Sequence, residues 1–317
     1  GGSNNSNSSN SNSSGGGQGS NSNSSSSSSS SAASASAPKS KEEIVMTIAT
    51  DLLQQVPPPF NLEEVMKTKA SDPSALHVVL FQEVERYNIL LANVRRSCLE
   101  LQAGIRGLVV MSADLDAILD ALYSAKVPAA WLKTYPSLKP LGPWTRDLLH
   151  RIDQISKWIK ETYPKVFWLS GFTYPTGFLT AVLQTTARKN SVPIDSLSFE
   201  YSIVNVDESE ILEAPKEGVY VRGMFLEGAG WDAEAGCLCE PNPMELIVPM
   251  PIVLFRPVEN KKRNAKGVYA CPLFMYAVRT GTRERPSFMT IVDLKSGSID
   301  PDHWIMRGTA LLLSLST

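Results

Sequence analysis

An α+β chain, helical first and followed by a small antiparallel β-barrel, is predicted by three features of the sequence. Apolar residues recur three or four apart through most of residues 41–159, short apolar runs between turn signals take over after residue 196, and a mixed stretch at 166–195 joins the two. The joining stretch reads VFWLSGFTYPTGFLTAVLQTTARKNSVPID. Val166, Phe167, Trp168 and Leu169 form a short strand-like run closed by Ser170 and Gly171, and Pro175 suits the first turn of a helix. Phe178, Leu179, Val182 and Leu183 continue that helix, Arg188 and Lys189 fall where cations suit its C-terminal dipole, and Pro193 ends it. Core packing accounts for these aromatics better than ligand binding does.

Residues 1–38 are almost wholly Ser, Asn and Gly, with too little apolar surface to offset chain entropy, so they are predicted to be a disordered loop or linker. Residues 41–56 then place Ile44, Val45, Ile48, Ala49, Leu52, Leu53 and Val56 on one helical stripe, stopped by Pro57, Pro58 and Pro59. Between a polar tract and a proline run this helix has no evident local partner, which predicts that its apolar face docks on structure outside the chain. A short helix at 62–66 precedes a long one marked by Leu76, Val79, Leu80, Val84, Tyr87, Leu91, Val94, Cys98, Leu101 and Ile105. Ser112 and Asp114 start another, carrying Leu115, Ile118, Leu119 and Leu122, which is expected to pair antiparallel with the long helix. Residues 126–143 hold four prolines beside Trp131 and Tyr135, an ordered but irregular connector pinned by its aromatics. Leu148, Leu149, Ile152, Ile155, Trp158 and Ile159 mark a helix broken before Pro164.

Strands are predicted at 197–206, 218–227, 246–255, 268–279, 287–294 and 307–315. Several are apolar on both faces, which suits a closed or nearly closed barrel better than an open sheet.

Composition narrows the function. The formal net charge is -2, and Lys and Arg are scattered except for Lys261, Lys262, Arg263 and Lys266, which read as a solvated hairpin loop. No nucleic-acid partner is expected. No run approaches the roughly 18 apolar residues of a membrane span, so no membrane partner is expected either. The cysteines number four, too few for a disulfide framework, and Cys237 and Cys239 lie two apart on one strand face, which suits a reducing, cytosolic setting.

Motifs that carry chemistry are missing. The sequence has no GxxxxGK[ST] loop, HExxH or GxSxG elbow, and Gly228-Ala229-Gly230 reads as a turn. The best acid-base candidate is Asp300-Pro301-Asp302-His303-Trp304, better explained by turn chemistry. Asp207, Glu208, Glu210 and Glu213 form an acidic loop without the glycine-bearing ligand pattern of a calcium site. No catalytic, cofactor-binding or metal residue is therefore assigned.

Several separate blocks, in order, resemble the C-terminal region of dynein heavy chains: PPPFNLEEVM from Pro57, FQEVERYNILL from Phe81, GLVVMSADL from Gly107, YPSLKPLGPW from Tyr135, the joining stretch from Val166, VRGMFLEGAGWD from Val221 and DHWIMRGTALLLSL from Asp302. The axonemal branch is the more similar, chiefly through WLSGFTYPTGFLTAVLQ. The resemblance implies a fragment of an ATP-driven, minus-end-directed microtubule motor of cilia or flagella, found in cytoplasm, cytoskeleton and axoneme. It implies that 1–38 is a variable loop, 39–56 closes the sixth AAA+ module, 57–164 is the helical part of the C-terminal domain, and 165–317 is its strand-helix unit and barrel. ATP and Mg would belong to upstream modules, and the partners would be the AAA+ ring of the same heavy chain and, through the parent protein, intermediate chains, light chains and microtubules.

A non-catalytic structural and regulatory part of a motor is thus the expected role. Ile48, Leu52, Tyr87 and Leu91 are the candidate ring-docking residues. The alternatives are a free-standing adaptor whose barrel binds a peptide or sugar, and a hydrolase centred on His303 with Asp300 or Asp302.

Overall fold

Helix α1 (Lys41–Gln55) begins at a capping box: Ser40 accepts from the Glu43 amide while the Glu43 carboxylate accepts from the Ser40 amide. The computed structural model describes residues 40–70, 74–161, 163–261, 266–276 and 288–314, so the Ser/Asn/Gly tract and Lys262 and Arg263 lie outside the described residues. From Ser40 onward the chain forms one unit. Contrary to the sequence expectation, α1 has a local partner. Its face of Val45, Ala49 and Leu52 is buried against α3 (Ala75–Ile105) and α4 (Ala113–Tyr123), and α2 (Leu62–Lys69) also packs on α3. Arg95 on α3 donates to the carbonyls of Leu53 (3.1 Å) and Val56 (2.6 Å), holding the end of α1.

At 31 residues α3 is roughly 46 Å long and forms the spine of the helical part. Helix α4 packs against it and against α1. The connector contains one short helix, α5 (Ala129–Leu132), before α6 (Leu141–Lys160). Its Trp131 is buried, stacks on Trp144 at 5.7 Å and donates from Nε1 to Ser97 on α3 at 3.2 Å.

Strand β1 (Val166–Trp168) and a 3-10 turn, Leu169–Gly171, lead into α7 (Pro175–Asn190), with Pro175 in the first turn as predicted. The strands that follow are β2 (Leu197–Val204), β3 (Val219–Arg222), β4 (Phe225–Glu227), β5 (Gly230–Asp232), β6 (Cys237–Cys239), β7 (Ile247–Pro249), β8 (Ile252–Glu259), β9 (Val268–Tyr276) and β10 (Phe288–Lys295). Helix α8 (Pro301–Met306) and β11 (Ala310–Ser314) complete the order.

The closed barrel does not form among the described residues. Two open sheets, ordered β1-β3-β8-β2 and β10-β9-β11-β4-β7, share the core beside a β5-β6 hairpin. The physical reason lies at two breaks. The predicted strand at 218–227 is cut at Gly223, where φ is +86° and a Cβ would sit 2.3 Å from the Trp168 ring, so β3 and β4 enter different sheets. The predicted strand at 246–255 is likewise cut at Met250 and Pro251 into β7 and β8. The Met250 amide donates to the Met224 carbonyl at 2.9 Å, tying the two crossings together. Crossing twice between sheets spends the strand length that a closed ring requires. Pairing is not wholly antiparallel either, since β1 runs parallel to β3 and β11 parallel to β9.

Candidate functional site

The sequence candidates for chemistry resolve into local structure. Asp300 caps α8 by accepting from the Asp302 amide at 2.9 Å, and Pro301 opens the helix. His303 Nε2 lies 2.7 Å from Glu240 Oε1, and Arg307 pairs with the same carboxylate. Asp300 and Asp302 therefore do not orient this imidazole; Glu240 does, and at 50% exposure it forms a surface clasp. Asp207 accepts from the amide and hydroxyl of Ser209 in a 3-10 turn, and Glu208 pairs with Arg222 at 2.8 Å. Among the described residues, no three or more His, Cys, Asp or Glu side chains gather as a metal group requires.

The four expected docking residues lie inside. Leu52 is 5% exposed, Tyr87 1% and Leu91 0%, while Ile48 is half-buried against the same core. A stripe read from helical spacing marks the face that is buried, and this chain buries it on itself. The outer side of α3 carries the surface that the spacing overlooks: Val78, Ile89 and Leu99 are each more than half exposed, and Leu108, Val109 and Val110 continue the exposed apolar run past its C-terminus. Apolar spacing does not announce it, because 78, 89 and 99 lie eleven and ten residues apart with exposed Gln82, Glu85 and Arg96 between them on that side of the helix.

The helical and strand parts meet at a buried polar junction. Glu83 on α3, 1% exposed, accepts from the Thr173 amide (2.8 Å), the Thr173 hydroxyl (2.7 Å) and the Tyr174 amide (3.2 Å). Tyr87 donates to the Gly171 carbonyl at 3.0 Å, and burial pushes its hydroxyl well above the ordinary phenol range, so it remains a donor. Arg151 on α6 donates to the Ser170 carbonyl, with its guanidinium between the rings of Tyr135 (4.5 Å) and Trp168 (5.0 Å). The Ser170 hydroxyl reaches the carbonyls of Gly223 (2.9 Å) and Leu313 (2.6 Å). Segment 168–174 is thus held by α3, α6 and both sheets at once.

Thiol reactivity reports on this packing. Cys98 on α3 is fully buried, and burial pushes its thiol up to about 12 although Arg95 opposes the shift. Cys271 is also buried, whereas Cys237 and Cys239 are partly exposed. A maleimide at neutral pH is expected to label Cys237 and Cys239 in the folded protein and Cys98 only after denaturant is added. Mass spectrometry of the labelled peptides checks this; rapid labelling of Cys98 under native conditions would contradict the burial of α3.

Comparison with known proteins fits the block pattern. A family described as the C-terminal domain of the dynein heavy chain matches residues 18–313. Over 277 residues the chain is 80% identical to the dynein-1-beta heavy chain of the flagellar inner arm I1 complex from Chlamydomonas reinhardtii, covering 87% of this chain and 6% of that protein. It is 50% identical over 280 residues to dynein axonemal heavy chain 2 of Homo sapiens, covering 88% of this chain and 6% of the relative. Dynein axonemal heavy chain 1 of Homo sapiens is 40% identical over 282 residues, 87% of this chain and 7% of the relative. The chain therefore spans only about 6% of the length of such relatives. Matched along nearly all of its folded length, this chain belongs to the family of dynein heavy-chain domains that lie at the C-terminus.

Proposed function

We propose that the chain is the C-terminal region of an axonemal dynein heavy chain and serves a ciliary or flagellar microtubule motor as a non-catalytic structural and regulatory body. The observation that carries this reading is the 80% identity over 277 residues to a flagellar inner arm heavy chain. On this reading ATP and Mg act in upstream modules, movement is minus-end-directed, and intermediate chains, light chains and microtubules are reached through the parent protein. Helix α1 closes the sixth AAA+ module and residues from 57 onward form the C-terminal domain.

Docking to the parent ring uses outward residues. Ile89 at 53% and Leu99 at 54% exposure, with Leu108 and Val110 beyond them, offer an apolar strip on a rigid helix. A body held against several modules biases them when its contacts differ between their arrangements.

Purified full-length motors bearing Ile89→Glu with Leu99→Glu test this. Expected results are unchanged folding, faster proteolytic release of the C-terminal region, and altered microtubule gliding velocity with basal ATP hydrolysis retained. Gliding and release that both match the parent protein would remove the α3 strip as a docking surface. A motor lacking residues 57–317 that still glides at normal velocity and force would overturn the regulatory role.

A further inference from the structure

A second surface, away from the α3 strip, lies at one end of the five-stranded sheet. Strand β4 sits between β11 and β7, with Glu227 opposite Ala310 on one side and Ile247 on the other. The segment entering β11 and the segment entering β7 therefore approach the sheet at the same end. These approach segments carry four large apolar side chains turned to solvent: Met244 at 97% exposure, Leu246 at 81%, Ile305 at 61% and Met306 at 86%. Single exposed apolar residues are ordinary, but four on two segments that flank β4 at one end of the sheet, bridged by the Arg307–Glu240 pair, make a surface that one partner can cover.

Two features mark the patch as built. Asn242-Pro243-Met244-Glu245 is a turn closed by the Glu245 amide donating to the Asn242 carbonyl at 3.0 Å, and the Asn242 side-chain amide donates to Glu245 Oε2 at 2.8 Å. Pro243 occupies the second position, and Met244 the third, at φ +70°. That third position of a type II turn favours Gly or Asn, because a side chain there is strained. Here it holds a long flexible hydrophobe, which makes almost no contact with the rest of the protein. The second feature is the clasp of Glu240 with His303 and Arg307, which ties the loop before β7 to α8. His303 and Arg307 lie four apart on the side of α8 that meets Glu240, while Asp302, Ile305 and Met306 share the solvent side.

The charges select the partner. The clasp commits the Arg307 guanidinium, just past α8, to Glu240, while Asp300, Asp302 and Glu245 form no ion pair among the described residues. The apolar patch is consequently rimmed by carboxylates. Flexible methionines inside an acidic rim suit an amphipathic helix with apolar anchors and basic flanks. We propose that Met244, Leu246, Ile305 and Met306, with Glu245, Asp300 and Asp302 around them, form a docking site for a basic amphipathic helix of another polypeptide.

The test uses the whole protein and two labelled helical peptides with one shared leucine face, one with lysine and one with glutamate on the polar face, followed by fluorescence anisotropy. The lysine peptide is expected to bind at least about ten-fold more tightly than the glutamate peptide. Met244→Gln with Met306→Gln should weaken binding about ten-fold or more, and Glu245→Gln with Asp302→Asn should flatten its salt dependence. Unchanged thermal midpoints verify that these exposed substitutions leave the fold intact. Equal binding of the two peptides, binding of neither, or binding indifferent to the methionine pair overturns the proposal. So does self-association in sedimentation that Met306→Gln abolishes, since the occupant would then be a second copy. Ile89→Glu with Leu99→Glu should leave peptide binding unchanged, which separates this site from the α3 surface.

Discussion

Glu83→Ala is expected to destabilise the fold by about 3–5 kcal/mol, the cost of breaking a buried, hydrogen-bonded charge cluster. Helix α7 has no side-chain cap of its own, because Tyr174 stands at its N-cap and Pro175 follows. What α3 supplies instead is an acceptor for the two residues that lead into the helix. Glu83 takes the amides of Thr173 and Tyr174 and the Thr173 hydroxyl, and its charge faces the positive end of the α7 dipole. Arg86 completes the set at 3.1 Å. Alanine leaves these donors buried without an acceptor, so the loss exceeds that of an ordinary cap. Glu83→Gln should cost less, keeping one acceptor oxygen but turning an NH2 group toward other donors. Urea unfolding measures the totals, and hydrogen exchange at Thr173 and Tyr174 localises them. A cost for Glu83→Ala near that of a surface substitution, about 0.5 kcal/mol, would show that the entry to α7 is not held in this way.

The same residue illustrates what the sequence discloses and what it hides. Leu80, Val84, Tyr87 and Leu91 identify the buried face of α3 by spacing alone, because a helix presents one face to its neighbours every three or four residues. Glu83 stands on that face, and a carboxylate there announces a donor elsewhere without saying where. Its partners are 90 and 91 residues away, a distance that local periodicity does not span. The strands show a related limit. Residues 218–227 and 246–255 read as continuous runs, and only the close approach of Gly223 to Trp168 and the bond from Met250 to Met224 turn each run from one sheet into the other. Such contacts belong to tertiary structure, and so two open sheets look like a barrel in one dimension. The exposed strip on α3 and the Met244 turn are hidden for the opposite reason. Residue type alone assigns apolar side chains to the core, and only solvent exposure separates Ile89 and Met244 from Leu90 and Met250.

Leu52→Asp separates the two accounts of α1. Were the stripe of α1 free to meet another molecule, a carboxylate at Leu52 would be solvated and would weaken docking alone. In the folded protein Leu52 is 5% exposed, beside Val45 and Ala49 at 0%, with α3 and α4 over it. A carboxylate there loses its water and gains no cation of its own. Arg95, the cationic anchor of this helix end, is already committed to the carbonyls of Leu53 and Val56. Burying an unpaired charge is among the few mechanisms that reach several kcal/mol, so a loss of about 4 kcal/mol or more is expected. Leu52→Ala, which removes packing but adds no charge, should cost about 2–4 kcal/mol, and the exposed neighbour Asp51→Ala about 0.5 kcal/mol or less. Urea titration of the three variants ranks them. The order Asp, then Ala, then the surface control is the signature of a helix buried against α3 and α4. A midpoint for Leu52→Asp that coincides with that of Asp51→Ala would mean that α1 detaches in solution, and its stripe would again be available to the rest of the motor.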